Sequence, residues 1–238
     1  MIEYDGTNYC GWQRQKELPT IQEFLENGLC EITGENVVVF GAGRTDSGVH
    51  ARGQTAHFKT ASHIPGHAFA KALNTALPSD IVVRESQEVP MDFHAQFSAK
   101  AKAYRYTLYN HEIKPAIQRN YVHWVWRSLD VEKMKQASVH LIGTHDFSSF
   151  EAANSPRKSN IRTVNYIDIT KESCYIEILI EANGFLYKMV RNIVGTLISV
   201  GHRQHEPDHT KTVLEARDRK RSGSTAPAKG LCLEYVAY

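Results

Sequence analysis

The chain has 238 residues, 42% of them apolar, with 28 Lys and Arg against 26 Asp and Glu. A chain this apolar and this near to neutral is globular rather than disordered. No run approaches the roughly 20 apolar residues that a membrane-spanning helix needs.

The opening Met1-Ile2-Glu3-Tyr4 has neither a basic segment nor an apolar stretch. The four cysteines, Cys10, Cys30, Cys174 and Cys232, form no CxxC pair. The expected setting is therefore the reducing cytoplasm, with the thiols as packing residues. The twelve histidines show no HExxH or paired Cys/His spacing, so no structural zinc site is expected.

The first helix is predicted over residues 20–33. Thr20 and Glu23 form a capping-box pattern, Phe24, Leu25, Leu29 and Ile32 follow at helical spacing, and Gly34 is the stop. Short strands are predicted at Val37–Phe40 and Gln54–Lys59. A second amphipathic helix, 66–77, lies between Pro65 and Pro78. A strand follows over Ile81–Val89.

The charge balance changes near residues 95–100. Residues 1–98 carry seven Lys and Arg against twelve Asp and Glu, and residues 99–238 carry twenty-one against fourteen. We place two halves there, 1–98 and 99–238. A basic second half is the electrostatic footprint of a polyanion binder, nucleic acid before others.

In the second half, 103–109 alternates Tyr104, Tyr106 and Leu108 with Arg105, Thr107 and Tyr109, a strand pattern. A helix over 131–142 is capped by Asp130 and stopped at Gly143. Residues 151–160 read as a polar loop, 162–170 and 174–182 as paired strands, 185–200 and 210–220 as helices, and 231–237 as a last strand. Strands and helices mix without a regular βαβ repeat. The expected class is therefore α+β, with mixed or antiparallel sheets flanked by helices, in two halves of similar inventory.

Three segments carry chemistry. Gly41-Ala-Gly43-Arg44-Thr45-Asp46-Ser47-Gly48-Val49-His50-Ala51 packs one acid and one base into a glycine-rich turn that is neither GxGxxG nor a P-loop. Asp46 there fits either a carboxylate facing a ligand or a turn residue bonding its own backbone. Lys100-Ala-Lys102-Ala-Tyr104-Arg105-Tyr106 interleaves cations with aromatics. That pattern fits phosphate contact with base stacking, or tyrosines filling a core. In 183–195, Gly184, Lys188, Arg191 and Gly195 share a helical face opposite a wide apolar stripe. That face reads either as solvated or as room for another backbone or a ligand.

Taken together the motifs resemble the bacterial tRNA pseudouridine synthase A family over essentially the whole chain. The resemblance rests on Tyr4-Asp5-Gly6-Thr7 with Tyr9 and Gly11-Trp12-Gln13-Arg14-Gln15, Gly43 to Ala51, Phe93-His94-Ala95-Gln96-Phe97-Ser98-Ala99, Lys102 to Tyr106, Met189 to Gly195, and Pro227-Ala-Lys-Gly230-Leu231. It implies the pseudouridine synthase fold, two similar α+β halves with a cleft between them. It implies isomerisation of uridine to pseudouridine in the anticodon stem-loop of tRNA, at the positions conventionally numbered 38 to 40, by a homodimer without a cofactor. By the same resemblance Asp46 is the catalytic aspartate. Tyr104 stacks on the target base, Arg191 pairs with the aspartate, and Arg44 holds the flipped nucleotide. The sequence departs from the family at Ser47, where alanine is usual, and at Gln96, where arginine is usual; Lys229 and Cys232 stand for His and Tyr. The chain also starts inside what the resemblance makes the first strand, which is expected to be short.

The chemistry agrees with these residue types. Breaking the N1–C1′ bond and joining C5 to C1′ gains and loses no atoms, so one ionised carboxylate suffices, as nucleophile or as base. A stacked uridine must leave its stack, and an aromatic ring with phosphate contacts offsets that cost. The residues admit two other readings. A tRNA-binding protein with a weakened site would retain tRNA without isomerising it. A glycosidase would need a second carboxylate, and the loop offers one.

Overall fold

The structure, a computed structural model, describes residues 1–152 and 159–238. The polar loop expected over 151–160 therefore lies largely outside the described residues. In chain order the elements are β1 (Ile2–Tyr4), α1 (Ile21–Thr33), β2 (Phe40–Gly41), β3 (His50–Gln54), β4 (Ala56–His57), α2 (Phe69–Ala76), β5 (Ile81–Val83), β6 (Ala101–Asn110), β7 (His123–Val125), α3 (Val131–Ser138), β8 (Gly143–Asp146), β9 (Ile161–Glu172), β10 (Tyr175–Ala182), α4 (Met189–Gly201), α5 (His209–Ala216) and β11 (Leu231–Ala237). The chain forms two compact units, Met1–Lys100 with Cys232–Tyr238, and Ala101–Leu231. None of the described helices is long and apolar enough to cross a membrane.

In the first unit β1 lies between β3 and β5, antiparallel to both, with Ile2 opposite Gln54 and Val83. β11 runs parallel to β3, with Cys232 opposite His50. β1 is only three residues long, as expected. β2 and β4 form a separate two-stranded ladder. Ile21, Leu25 and Leu29 recur every four residues on α1, so one face of the helix is apolar. They are buried together with Phe69 and Leu73 of α2 and with Ile81 and Val83 of β5.

Helix α1 ends as the sequence predicts: Gly34 takes φ 74° and its N–H donates to Cys30 O at 2.8 Å. Its start is different. Thr20 occupies the cap position, but its hydroxyl makes no capping bond and is buried without a hydrogen-bond partner. Backbone carbonyls take over that task. Gly11 O accepts from Ile21 N at 3.2 Å and Trp12 O from Gln22 N at 3.0 Å, so the orphan donors of the first turn are met from the preceding loop.

The strand expected over Val37–Phe40 shrinks to its last residue, because α1 captures its backbone. Glu26 Oε1 accepts from Val39 N at 3.0 Å and Gln22 Nε2 donates to Val39 O at 3.2 Å. The strand expected over Gln54–Lys59 divides instead into the ends of β3 and β4. The strand over Ile81–Val89 stops at Val83, beyond which Arg84 N and Glu85 N both donate to Met1 O.

In the second unit the ladder β8-β9-β10-β6 is antiparallel throughout, and β7 joins β6 in parallel. Ile176, Ile178, Ile180 and Ala182 alternate along β10 and are fully buried, the period-two pattern of a sheet with one covered face. Helices α3 and α4 pack on each other, α3 also on β9 and α4 on β6. Asp130 caps α3, accepting from Lys133 N at 3.1 Å. Helix α4 begins at Met189 rather than 185 because Lys188 takes a left-handed conformation, φ 59°. Helix α5 stops at Ala216 because Arg217 does the same, φ 49°. Strands β7 and β8, three and four residues long, carry too little pattern to be read from sequence.

Candidate active site

Asp46 and Arg44 belong to the first unit, on the turn between β2 and β3; Asp46 is half-buried and Arg44 exposed. Hydrogen bonds from the opening segment and from β3 hold the turn. Gln54 Nε2 donates to Gly43 O at 2.8 Å. Trp12 N donates to Thr45 O at 3.0 Å, and Gly48 N to Tyr9 O at 3.3 Å. Ser47 Oγ donates to the same Tyr9 carbonyl at 3.2 Å. Asp46 O accepts from Val49 N at 3.1 Å, closing the turn on itself. Thr45 is fixed from below by a buried hydrogen bond between its hydroxyl and Tyr4 Oη, 2.8 Å.

The residues that grip the turn are the opening motif, which the sequence marks without revealing its task. Tyr9 is itself anchored: its hydroxyl donates to Asp80 Oδ1, and Asp80 O accepts from Asp5 N at 3.0 Å. Burial and the neighbouring Asp80 carboxylate raise the Tyr9 phenol well above its ordinary pKa, so it remains a donor at any working pH. Gly11 also lies directly against the turn. It takes φ 89°, and a β-carbon there would meet Thr45 O at 2.5 Å. Glycine permits both the backbone conformation and the contact.

Tyr104 and Arg191 belong to the second unit. Tyr104 lies on β6 opposite Ile180 of β10 and is 7% exposed. Its ring meets Phe185 edge-on, centroids 5.1 Å apart at 88°. Phe185 sits in the segment that leads into α4, so that segment and β6 place the ring jointly. Arg191 lies in the first turn of α4. Its Nε donates to Ala226 O at 2.7 Å, and its own carbonyl accepts from Ala226 N at 3.1 Å.

The face expected around Gly184, Lys188, Arg191 and Gly195 is divided, since the first two precede the helix. The room beside Gly195 is taken by another backbone: a β-carbon there would come to 1.8 Å from Ser224 O. The segment 223–226 thus lies directly on α4. Next to Arg191, the fully buried Asn192 ties it down. Its Nδ2 donates to Phe150 O at 2.7 Å, while its Oδ1 accepts from Thr225 Oγ1 at 2.7 Å and from Arg219 Nη2 at 3.0 Å. Asn192 and Arg219 are functional candidates that the sequence reading missed. A lone asparagine within an apolar helix run was the available signal.

Tyr106, on the same strand as Tyr104, is fully buried, and its hydroxyl donates to Pro227 O at 2.8 Å. Gly230 lies against its ring. The strand motif and the C-terminal motif are therefore joined through one phenol, whose pKa burial raises far above the ordinary value.

Comparison with known proteins gives concordant results. The tRNA pseudouridine synthase family profile matches residues 1–98 and 137–238. A protein of Clostridium acetobutylicum named tRNA pseudouridine synthase A is 49% identical over 237 residues, covering 100% of this chain and 97% of that one. One of the same name from Acetivibrio thermocellus is 49% identical over 238 residues, covering 100% and 98%. A tRNA pseudouridine synthase A 2 of Clostridium perfringens is 48% identical over 237 residues, covering 100% and 97%.

Proposed function

The chain belongs to the tRNA pseudouridine synthase family, and from that premise we propose that it isomerises uridine to pseudouridine in the anticodon stem-loop of tRNA, as a homodimer, with Asp46 as the catalytic carboxylate. The observation that carries this reading is the grip of Tyr9, Gly11 and Trp12 on Thr45–Gly48. An acid on a turn clamped from both sides is preorganised. It spends little free energy on ordering itself when the ribose arrives.

In the proposed reaction the N1–C1′ bond breaks, the uracil turns, and C5 joins C1′. The proton on C5 passes to solvent and N1 regains one, so atoms and electrons balance within the substrate. Asp46 acts ionised, either attacking C1′ or removing the 2′ proton; both require a free electron pair on the carboxylate. Tyr104 offers its ring to the extruded base, offsetting part of the few kcal/mol of unstacking. Arg44 and Arg191 supply guanidinium donors suited to phosphate and nucleotide oxygens.

Asp46→Asn tests the assignment. It keeps side-chain size and removes the charge. The expected result is loss of tritium release from C5-labelled uridine in tRNA, with tRNA affinity within about twofold of the parent protein; turnover near the parent rate would overturn it.

A further inference from the structure

Arg217-Asp218-Arg219-Lys220-Arg221 holds four cations and one carboxylate in five residues. Arg217 pairs with Asp146 at 3.3 Å. Asp218 Oδ1 accepts from Lys220 N at 2.9 Å and caps a single 3-10 turn, Arg219–Arg221. The turn is fixed to its unit on two sides. Asp218 N donates to Ser149 Oγ at 2.8 Å, and Arg219 turns inward. The Arg219 guanidinium donates to Ser222 Oγ at 2.7 Å, to Gly223 O, to Thr225 Oγ1 and to Asn192 Oδ1, each of these last three at 3.0 Å.

Every one of those acceptors is uncharged, so the protein does not cancel the Arg219 charge. Lys220 and Arg221 are exposed, and among the described residues neither makes an ion pair with a carboxylate. Arg221 faces His209, which stacks on His205 with centroids 3.8 Å apart. Burial, the His205 ring and the Arg221 charge hold His209 below its ordinary pKa. The ridge thus keeps an unneutralised positive charge on a rigid turn, pinned through Asn192 to the residue next to Arg191.

We propose that this ridge is a phosphate-contact surface for the RNA substrate, with Lys220 and Arg221 each neutralising one backbone phosphate outside the target nucleotide. The inference rests on the reading of the chain as a tRNA-modifying enzyme. Fixed, exposed, unpaired cations are what a phosphodiester chain recognises, and each such contact releases counterions. Because Arg219 and Asn192 connect the ridge to α4, strand contacts made there hold the RNA in register with Arg191. These contacts carry no sequence information and serve to position the strand.

The test uses the full chain with Lys220→Gln and Arg221→Gln together, and tRNA binding measured across a series of KCl concentrations. The slope of log K against log salt is expected to shrink by about 1.5, from roughly 0.7–0.9 per phosphate lost. KM for tRNA is expected to rise about fivefold with kcat unchanged. Lys171→Gln, on the exposed edge of β9, is expected to leave the slope as it was. An unchanged slope in the double variant, or an equal loss from Lys171→Gln, would overturn the proposal. So would a variant that loses binding to anionic phosphatidylserine vesicles while keeping its full tRNA salt slope. If the parent protein binds tRNA with the expected slope yet forms no pseudouridine, the enzymatic reading fails and the ridge stands.

Discussion

Gly11 rests directly on Thr45: Trp12, the next residue, donates its N–H to the Thr45 carbonyl at 3.0 Å, and a β-carbon on Gly11 would come within 2.5 Å of that same oxygen. The two residues lie far apart in sequence, yet the first moulds the turn that presents Asp46. Gly11→Ala places a side chain at φ 89° and against backbone that has no room to yield. It is expected to cost about 2–4 kcal/mol, lowering Tm by roughly 5–10 °C. Thermal unfolding followed by circular dichroism checks this, and kcat is expected to fall with the displaced turn.

Asn192→Leu preserves volume and removes the acceptor shared by Arg219 and Thr225, along with the donor to Phe150 O. Orphaning buried partners costs more than the net worth of the bonds, and the expected loss is about 3 kcal/mol. Thr225→Val removes one donor to Asn192 Oδ1 and one of the Arg219 acceptors but leaves the Asn192 bonds to Phe150 O and Arg219 in place, and is expected to cost about 1–2 kcal/mol. Urea denaturation of the two variants side by side reads the difference.

Stability is expected to fall as the medium is acidified below neutral. Burial, aided by the Lys229 charge, holds the His123 imidazole down at about 4, whereas an unfolded chain titrates near 6.5. The folded state therefore binds fewer protons than the unfolded state between those values. Its stabilisation is complete above about pH 6.5 and is lost as pH drops toward 4, amounting to about 1–2 kcal/mol at pH 5. His57, His202 and His209 are held down as well and act in the same direction. His123→Gln is expected to flatten the pH dependence of the urea midpoint between pH 7 and 5; an unchanged slope would count against His123 as the main titrating group.

Tyr104→Phe keeps the ring that meets Phe185 at 5.1 Å and deletes only the hydroxyl. Activity is expected to fall more than tRNA affinity, because stacking survives. Turnover equal to the parent would show that the hydroxyl has no chemical task. Comparing kcat with the dissociation constant for tRNA separates the outcomes.

Much of this fold was legible in the sequence wherever a periodic pattern ran long enough. The alternation at 103–109, the paired strands that became β9 and β10, and the helical spacing of Phe24, Leu25, Leu29 and Ile32 all correspond to elements. Segments that failed did so because a distant partner outbid a local preference. Thr20 had the right neighbour in Glu23, but the carbonyls of Gly11 and Trp12 arrived first and left its hydroxyl buried without a bond. Val37–Phe40 looked like a strand, but Gln22 and Glu26 of α1 took the hydrogen bonds that a neighbouring strand would have made. Lys188 delayed the start of one helix and Arg217 ended another by turning left-handed, a choice no apolar period encodes. At the candidate site, residue types disclosed Asp46, Arg44, Tyr104 and Arg191 as chemically capable. The supporting contacts through Tyr9, Asn192 and Arg219 join positions too far apart in sequence for any local pattern to link.

The last seven residues, Cys232–Tyr238, belong to the first unit, where β11 lies parallel to β3. On a ribosome, which releases the chain from its N-terminus, the hundred opening residues emerge long before the strand that completes their sheet. The later unit, Ala101–Leu231, is contiguous and can close first. The half bearing Asp46 therefore gains its parallel strand only after all of Ala101–Leu231 has been made, so the second unit's core can form while the first still waits for β11.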